Sequence, residues 1–139
     1  MKIKIKIIDK RAKMPEYARS GDVGMDVFAL EDIIIPSRMV VNINLGFALE
    51  FPTGFVARMS DKSGLGKRGI HVFGGVYDAG YRGEYNVSLY NSTSDDFLSK
   101  LGEKLAQIII YPVEIVKLEK VDNLSESIRG KGRFGSTGK

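Results

Sequence analysis

Alternation of apolar and polar residues runs through most of the chain, and it has the period of strands rather than helices. Ile3, Ile5 and Ile7 alternate with Lys2, Lys4 and Lys6, which predicts a half-buried strand with a charged outer face. Val41, Ile43, Leu45, Phe47 and Leu49 continue the pattern against Asn42, Asn44 and Glu50, and predict one long strand. Phe55–Met59 and Ile70–Tyr77 are shorter strand-like runs, and Tyr85, Val87 and Leu89 face away from Asn86, Ser88 and Tyr90. Leu105–Tyr111 is apolar apart from Gln107, suited to a strand buried on both faces. Beyond it the apolar parity slips between Val113/Ile115 and Val116/Leu118, which predicts a bulge or a bend. No window sustains helical spacing over three turns; Ser63–Arg68 has room for about one turn. Many short strands with glycine-rich turns predict an all-β sandwich, jelly roll or barrel.

Composition narrows the chemistry. The 139 residues fit one domain, and no apolar run approaches the ~20 residues of a membrane span. Cysteine is absent and His71 is the single histidine, which excludes thiolate zinc sites, cysteine nucleophiles and multi-histidine metal centres. The net charge of +4 is mild, and a basic balance of that size is usually surface chemistry. Sixteen glycines suggest tight turns or loops that approach a ligand closely. Neither Gly64-x-Gly66-x-x-Gly69 nor Gly130-x-Gly132-x-x-Gly135 opens a helix within a βαβ unit, so a dinucleotide fold is rejected. Asn91-Ser-Thr93 matches a glycosylation sequon but has no secretory signal before it.

Four segments concentrate functional groups. Lys62-Ser63-Gly64 offers a cation, a hydroxyl and mobile amides, which suits either a phosphate or a capped turn. Gly75–Gly83 reads as a glycine-rich hairpin in which Asp78 is either a turn aspartate or a reactive carboxylate. Ala18–Asp26 places two acids in a glycine-rich loop, as a solvated turn or as help for Mg2+. The last eleven residues hold four glycines, four cations and Phe134, and read as a disordered basic tail or as a flap over a phosphorylated aromatic ligand.

Taken in order, these segments resemble the five motifs of the trimeric dUTPases, over about residues 15 to 139. Ala18–Val27 is similar to the first, Arg58–Gly66 to the second and Gly75–Gly83 to the third, while Gly102–Ile108 and Arg129–Gly138 are similar to the fourth and fifth. The resemblance implies a distorted jelly-roll barrel over residues 1–128 with at most one short helix, and a flexible arm over 129–139 that closes on the nucleotide. It implies a cytoplasmic homotrimer with shared active sites, hydrolysing dUTP to dUMP and pyrophosphate with Mg2+, and using neither nucleic acid nor membrane. Carried over by position, Asp78 is the base for the attacking water and Tyr81 packs under deoxyribose. Gly75, Val76 and their neighbours read the uracil edge through backbone. Lys62, Ser63, Gly64 and Gln107 meet phosphates, and Asp26 reaches Mg2+ through water. Arg129, Ser136 and Thr137 hold the outer phosphates beside Gly135, and Phe134 stacks on the base.

The logic of the assignment is that phosphoryl transfer needs positioning and charge more than a nucleophilic side chain. Departures from the family pattern are Lys62 for arginine, which exchanges a fork for a point charge, and Asp61 for proline, which adds a negative charge near the phosphates. Gly80 also stands for an acidic residue and Arg133 for glycine. Two other classes share these features: a nucleotide-sensing binding module, and an enzyme related to dCTP deaminase. Motif three and the phenylalanine-bearing arm disfavour the latter.

Overall fold

The computed structural model describes residues 1–131. Eleven strands and one short helix make up its regular structure: β1 (Lys4–Ile7), β2 (Gly24–Phe28), β3 (Ile33–Ile35), β4 (Val40–Asn44), β5 (Phe47–Glu50), β6 (Phe55–Ser60), α1 (Ser63–Gly66), β7 (Ile70–Phe73), β8 (Val76–Asp78), β9 (Asn86–Asn91), β10 (Phe97–Ser99) and β11 (Lys104–Pro112). All strand pairs are antiparallel and form four small sheets, ordered β1-β5, β10-β3, β2-β11-β6-β8 and β4-β9-β7. Ala57, Met59 and Ile108 of the four-stranded sheet share one core with Ile43, Val87, Leu89 and Ile70 of the three-stranded sheet. Phe47, Leu49, Ile35 and Phe97 of the two small sheets close it. This is the all-β architecture of a distorted jelly roll. No described helix is long and apolar enough to cross a membrane.

The strand expected over 41–49 is two strands in different sheets. Gly46 breaks it with φ of 71°, and its carbonyl accepts the amides of Ile8 and Asp9 while its own N–H donates to Glu84 Oε1. A Cβ there would lie 2.7 Å from the Ala12 methyl, so the corner requires glycine. Alternation continues through the corner, because both halves face the same core. The run 70–77 divides likewise at Gly74 and Gly75, with φ of 71° and 88°. Nor is 75–83 a paired hairpin: β8 pairs with β6, whereas the following β9 joins β4 and β7.

β11 pairs on both sides, yet only Leu105, Ala106 and Ile108 within it are fully buried; Tyr111 is exposed. Its bulge lies between Lys104 and Ala106, not after Val113, where the described chain has no further strand. Asn91 is completely buried. Its side-chain N–H groups donate to the Ile35 and Asp95 carbonyls and its oxygen accepts from Thr93, so the sequon asparagine is structural.

Candidate functional site

The predicted residues fall into two groups at opposite ends of β6. At one end Asp26 of β2, Gln107 of β11 and Ser60 of β6 lie side by side in register. Gly24 leaves room for the Gln107 side chain, since a Cβ there would stand 2.1 Å from Gln107 Oε1. Gln107 Nε2 donates to the Asp61 carbonyl at 2.9 Å and so fixes the exit of β6. There the chain turns into α1: Leu65 and Gly66 N–H donate to the Lys62 carbonyl, and Ser63 and Gly64 lie exposed in the first turn.

Asp26 is 2% exposed and is gripped by two ammonium groups, Lys62 Nζ at 2.6 Å on Oδ1 and Lys104 Nζ at 2.6 Å on Oδ2. Burial works to raise its pKa, but the two lysines outweigh it and hold the carboxyl below its usual range. The bond to Asp26 correspondingly raises Lys104. Lys104 went unassigned in the sequence because it stands three positions from Gln107, on the opposite face of a regular strand. The bulge after Lys104 supplies the extra residue that returns both side chains to one face. The Asp61 carboxylate is held against β7 beside the 62–64 turn. Its Oδ1 accepts the Val72 amide at 2.6 Å and its Oδ2 lies 2.8 Å from His71 Nδ1, which ties the loop to β7.

At the other end Asp78 closes β8 opposite Val56, and its side chain is exposed. It borders a cavity of about 440 Å³ that also touches Phe55, Ala79, Gly80 and Ile115. Tyr81 N–H donates to the Asp78 carbonyl, making the turn that folds the Tyr81 ring back. That ring meets Tyr77 and Tyr85 at centroid distances of 5.6 and 5.7 Å, and its hydroxyl donates to the Glu84 carbonyl at 2.9 Å. Tyr77 stacks on Tyr85 at 4.2 Å, and burial pushes the Tyr85 hydroxyl up to about 12. Gly75 sits where backbone approaches backbone: its carbonyl accepts the Met59 amide, and a Cβ would stand 3.0 Å from the Met59 carbonyl oxygen. Val76 is exposed beside it.

Four strand positions separate Val56, opposite Asp78, from Ser60, opposite Gln107. At ~3.3 Å each they put roughly 13 Å between the groups. Arg129 is exposed in a turn near the end of the described chain, while Phe134, Gly135, Ser136 and Thr137 lie outside the described residues. A larger cavity of about 950 Å³, between the β1–β2 connection and β4, includes none of the predicted residues.

The sequence model of the dUTPase family matches residues 10–138. The chain belongs to the dUTPase family. The deoxyuridine 5'-triphosphate nucleotidohydrolase of Clostridium tetani is 44% identical over 140 residues, covering 99% of this chain and 97% of that protein. The protein of the same description from Paramecium bursaria Chlorella virus 1 is 35% identical, with 96% of each chain covered. A structure of the Staphylococcus bacteriophage 80alpha dUTPase with dUPNHPP superposes with a TM-score of 0.91 at 25% identity, over 99% of this chain and 98% of that one. Family and fold therefore agree with the order of the motifs, and the jelly-roll barrel is the dUTPase fold.

Proposed function

We propose that this protein hydrolyses dUTP to dUMP and pyrophosphate in active sites shared between the chains of a homotrimer. The observation that carries the reading is the separation of its two half-sites along β6. A carboxylate fit to activate water stands at one end, and a cation, a hydroxyl and amides fit to hold phosphates stand at the other. Along one sheet the two stand roughly 13 Å apart. A closed ring of identical chains would face the Asp78 end of one copy toward the Lys62 end of the next and so bring them onto one ligand.

In this reading Asp78 orients a water and takes its proton as the bond between the α- and β-phosphates breaks. Its exposure leaves the carboxylate free to receive a water. Tyr81 packs under deoxyribose and leaves no room for a 2′-hydroxyl, while backbone at Gly75 and Val76 reads the uracil edge. Lys62, Ser63, Gly64 and Gln107 hold phosphates, and the arm completes the enclosure through Arg129, Phe134, Gly135, Ser136 and Thr137. Among the described residues no cluster of acidic ligands could hold a metal by itself. The donors therefore suit a Mg2+ carried on the triphosphate, with Asp26 reaching it through water. Both Asp26 oxygens already face ammonium groups, which disfavours direct coordination. When bound, the ion supplies neutralising charge at the phosphate oxygens.

The test is release of pyrophosphate and ammonia from dUTP, UTP, dTTP and dCTP with Mg2+. Pyrophosphate from dUTP alone is the expected result. Ammonia from dCTP would support the deaminase-related reading, and tight dUTP binding without turnover would support a nucleotide sensor.

A further inference from the structure

The Lys62 ammonium needed at a phosphate is bound in this structure to Asp26 Oδ1, 2.6 Å away. To leave, it must abandon a carboxylate that is 2% exposed, and an uncompensated buried charge is strongly unfavourable. Lys104 changes that balance. Its Nζ lies 2.6 Å from the other oxygen of the same carboxylate, so Asp26 keeps a charge partner when Lys62 departs. The side chains of Lys62 and Lys104 are 32% and 39% exposed, so both reach solvent while their shared partner does not. They border a cavity of about 350 Å³ with Gly64, Leu65 and Arg68, which gives Lys62 space to turn. The acid on that cavity, Glu103, accepts the Lys100 amide and the Ser99 hydroxyl at Oε2.

We propose that Lys104 is a positioning residue for the triphosphate: by holding Asp26 from β11 it lets Lys62 exchange a carboxylate for a phosphate. The inference rests on the reading of Lys62 as a phosphate contact. Without Lys104 the buried carboxylate depends on Lys62 alone, and phosphate must compete with it. Lys104 acts through Asp26, so its effect requires Lys62.

The experiment is a double-mutant cycle on the full chain, using Lys62→Met, Lys104→Met and both together. The dissociation constant of the analogue dUpNHpp is measured, with deoxyuridine, which has no phosphate, titrated alongside. Lys62→Met alone tests the phosphate reading; unchanged analogue binding there overturns that reading and the relay with it, whereas a loss there upholds the reading and leaves the relay to stand or fall on Lys104. Given a loss at Lys62, Lys104→Met should weaken dUpNHpp about tenfold in the parent but less than about threefold beside Lys62→Met, with deoxyuridine unaffected throughout. Lys104→Arg, which keeps charge and reach, should restore binding to within about threefold of the parent. Equal losses in both backgrounds would make Lys104 an independent contact, and no loss in the parent would make it irrelevant; either overturns the proposal. If Lys104→Met fails to fold, Lys104→Gln carries the same comparison. Failure of both to fold would make the role structural and also overturn it.

Discussion

A single methyl group at Gly83 should unseat Tyr81. A Cβ built there would lie 2.4 Å from the Tyr81 hydroxyl oxygen and 2.6 Å from Cζ, about 1 Å inside normal contact. Gly83 has no positive φ, so alanine is acceptable to the backbone and the conflict is with the ring alone. Tyr81 is 39% exposed and relieves the clash by swinging outward. The move forfeits the bond to the Glu84 carbonyl, about 1 kcal/mol net, and two tilted ring contacts, together about 1 kcal/mol at so open a site. Those contacts favour the seated ring by about 2 kcal/mol, a ratio of roughly 30 to 1 in the parent, and a clash this deep outweighs that bias and reverses the ratio. If the seated ring is what excludes a 2′-hydroxyl, the ratio of kcat/KM for dUTP over UTP should fall by one to two orders of magnitude, approaching that of Tyr81→Ala. Gly80→Ala is the control in the same loop: its Cβ meets nothing within 4 Å, and its selectivity should equal the parent's. Parental selectivity in Gly83→Ala, alongside lost selectivity in Tyr81→Ala, would refute the argument that this seat sets sugar choice.

Asp78→Asn should bind dUpNHpp like the parent but lower turnover by roughly 10²-fold or more, since the amide cannot take a proton; near-parental turnover refutes the assignment. Asp26→Asn should be destabilised by about 2 kcal/mol at pH 7, less than a fully buried pair because both lysines can reach water. The folded-state pKa of Asp26 is depressed, so its contribution is present above the ordinary carboxylate value of 3.8 and is lost as pH falls through the lower folded value. Urea midpoints of parent and variant should therefore converge as pH falls below that depressed folded value, and a constant gap would contradict the charge argument. Truncation after Ile128 should abolish turnover without unfolding the protein. Mixing that chain with Asp78→Asn by joint refolding should restore about a quarter of parental activity if assembly is random and the two parts come from different chains. No recovery at any ratio would place both parts on one chain.

Much of the fold was legible because alternation reports which face is buried, and Ile43, Val87, Leu89 and Ile108 are all core residues. Alternation is blind to which sheet a strand joins. Phe47 and Leu49 keep the parity of Ile43 and Leu45 across Gly46, so two strands read as one until the Gly46 φ of 71° and its bonds to Ile8 and Asp9 are seen. Partner choice is nonlocal: β8 and β9 are adjacent in sequence but pair with β6 and with β4 and β7. Local turn chemistry could suggest a hairpin at 75–83 but could not supply the competing edge of β6.

For the site, residue types were legible and their coupling was not. Lys62 and Asp26 were separable in the sequence as a phosphate contact and a metal-side carboxylate, yet in the folded chain they are one ion pair, joined by a lysine displaced by a bulge. The same local physics explains Asp61. In place of proline's stiffness, its carboxylate ties the loop to β7 through the Val72 amide and His71. Two different constraints thus converge on the three residues Lys62, Ser63 and Gly64: Gln107 and Asp61 fix the backbone entering α1, while Asp26 fixes where the Lys62 charge waits. On the proposed reading, a fixed entry and a movable charge would let the loop receive a triphosphate without being rebuilt, a division of labour suited to the point charge of a lysine.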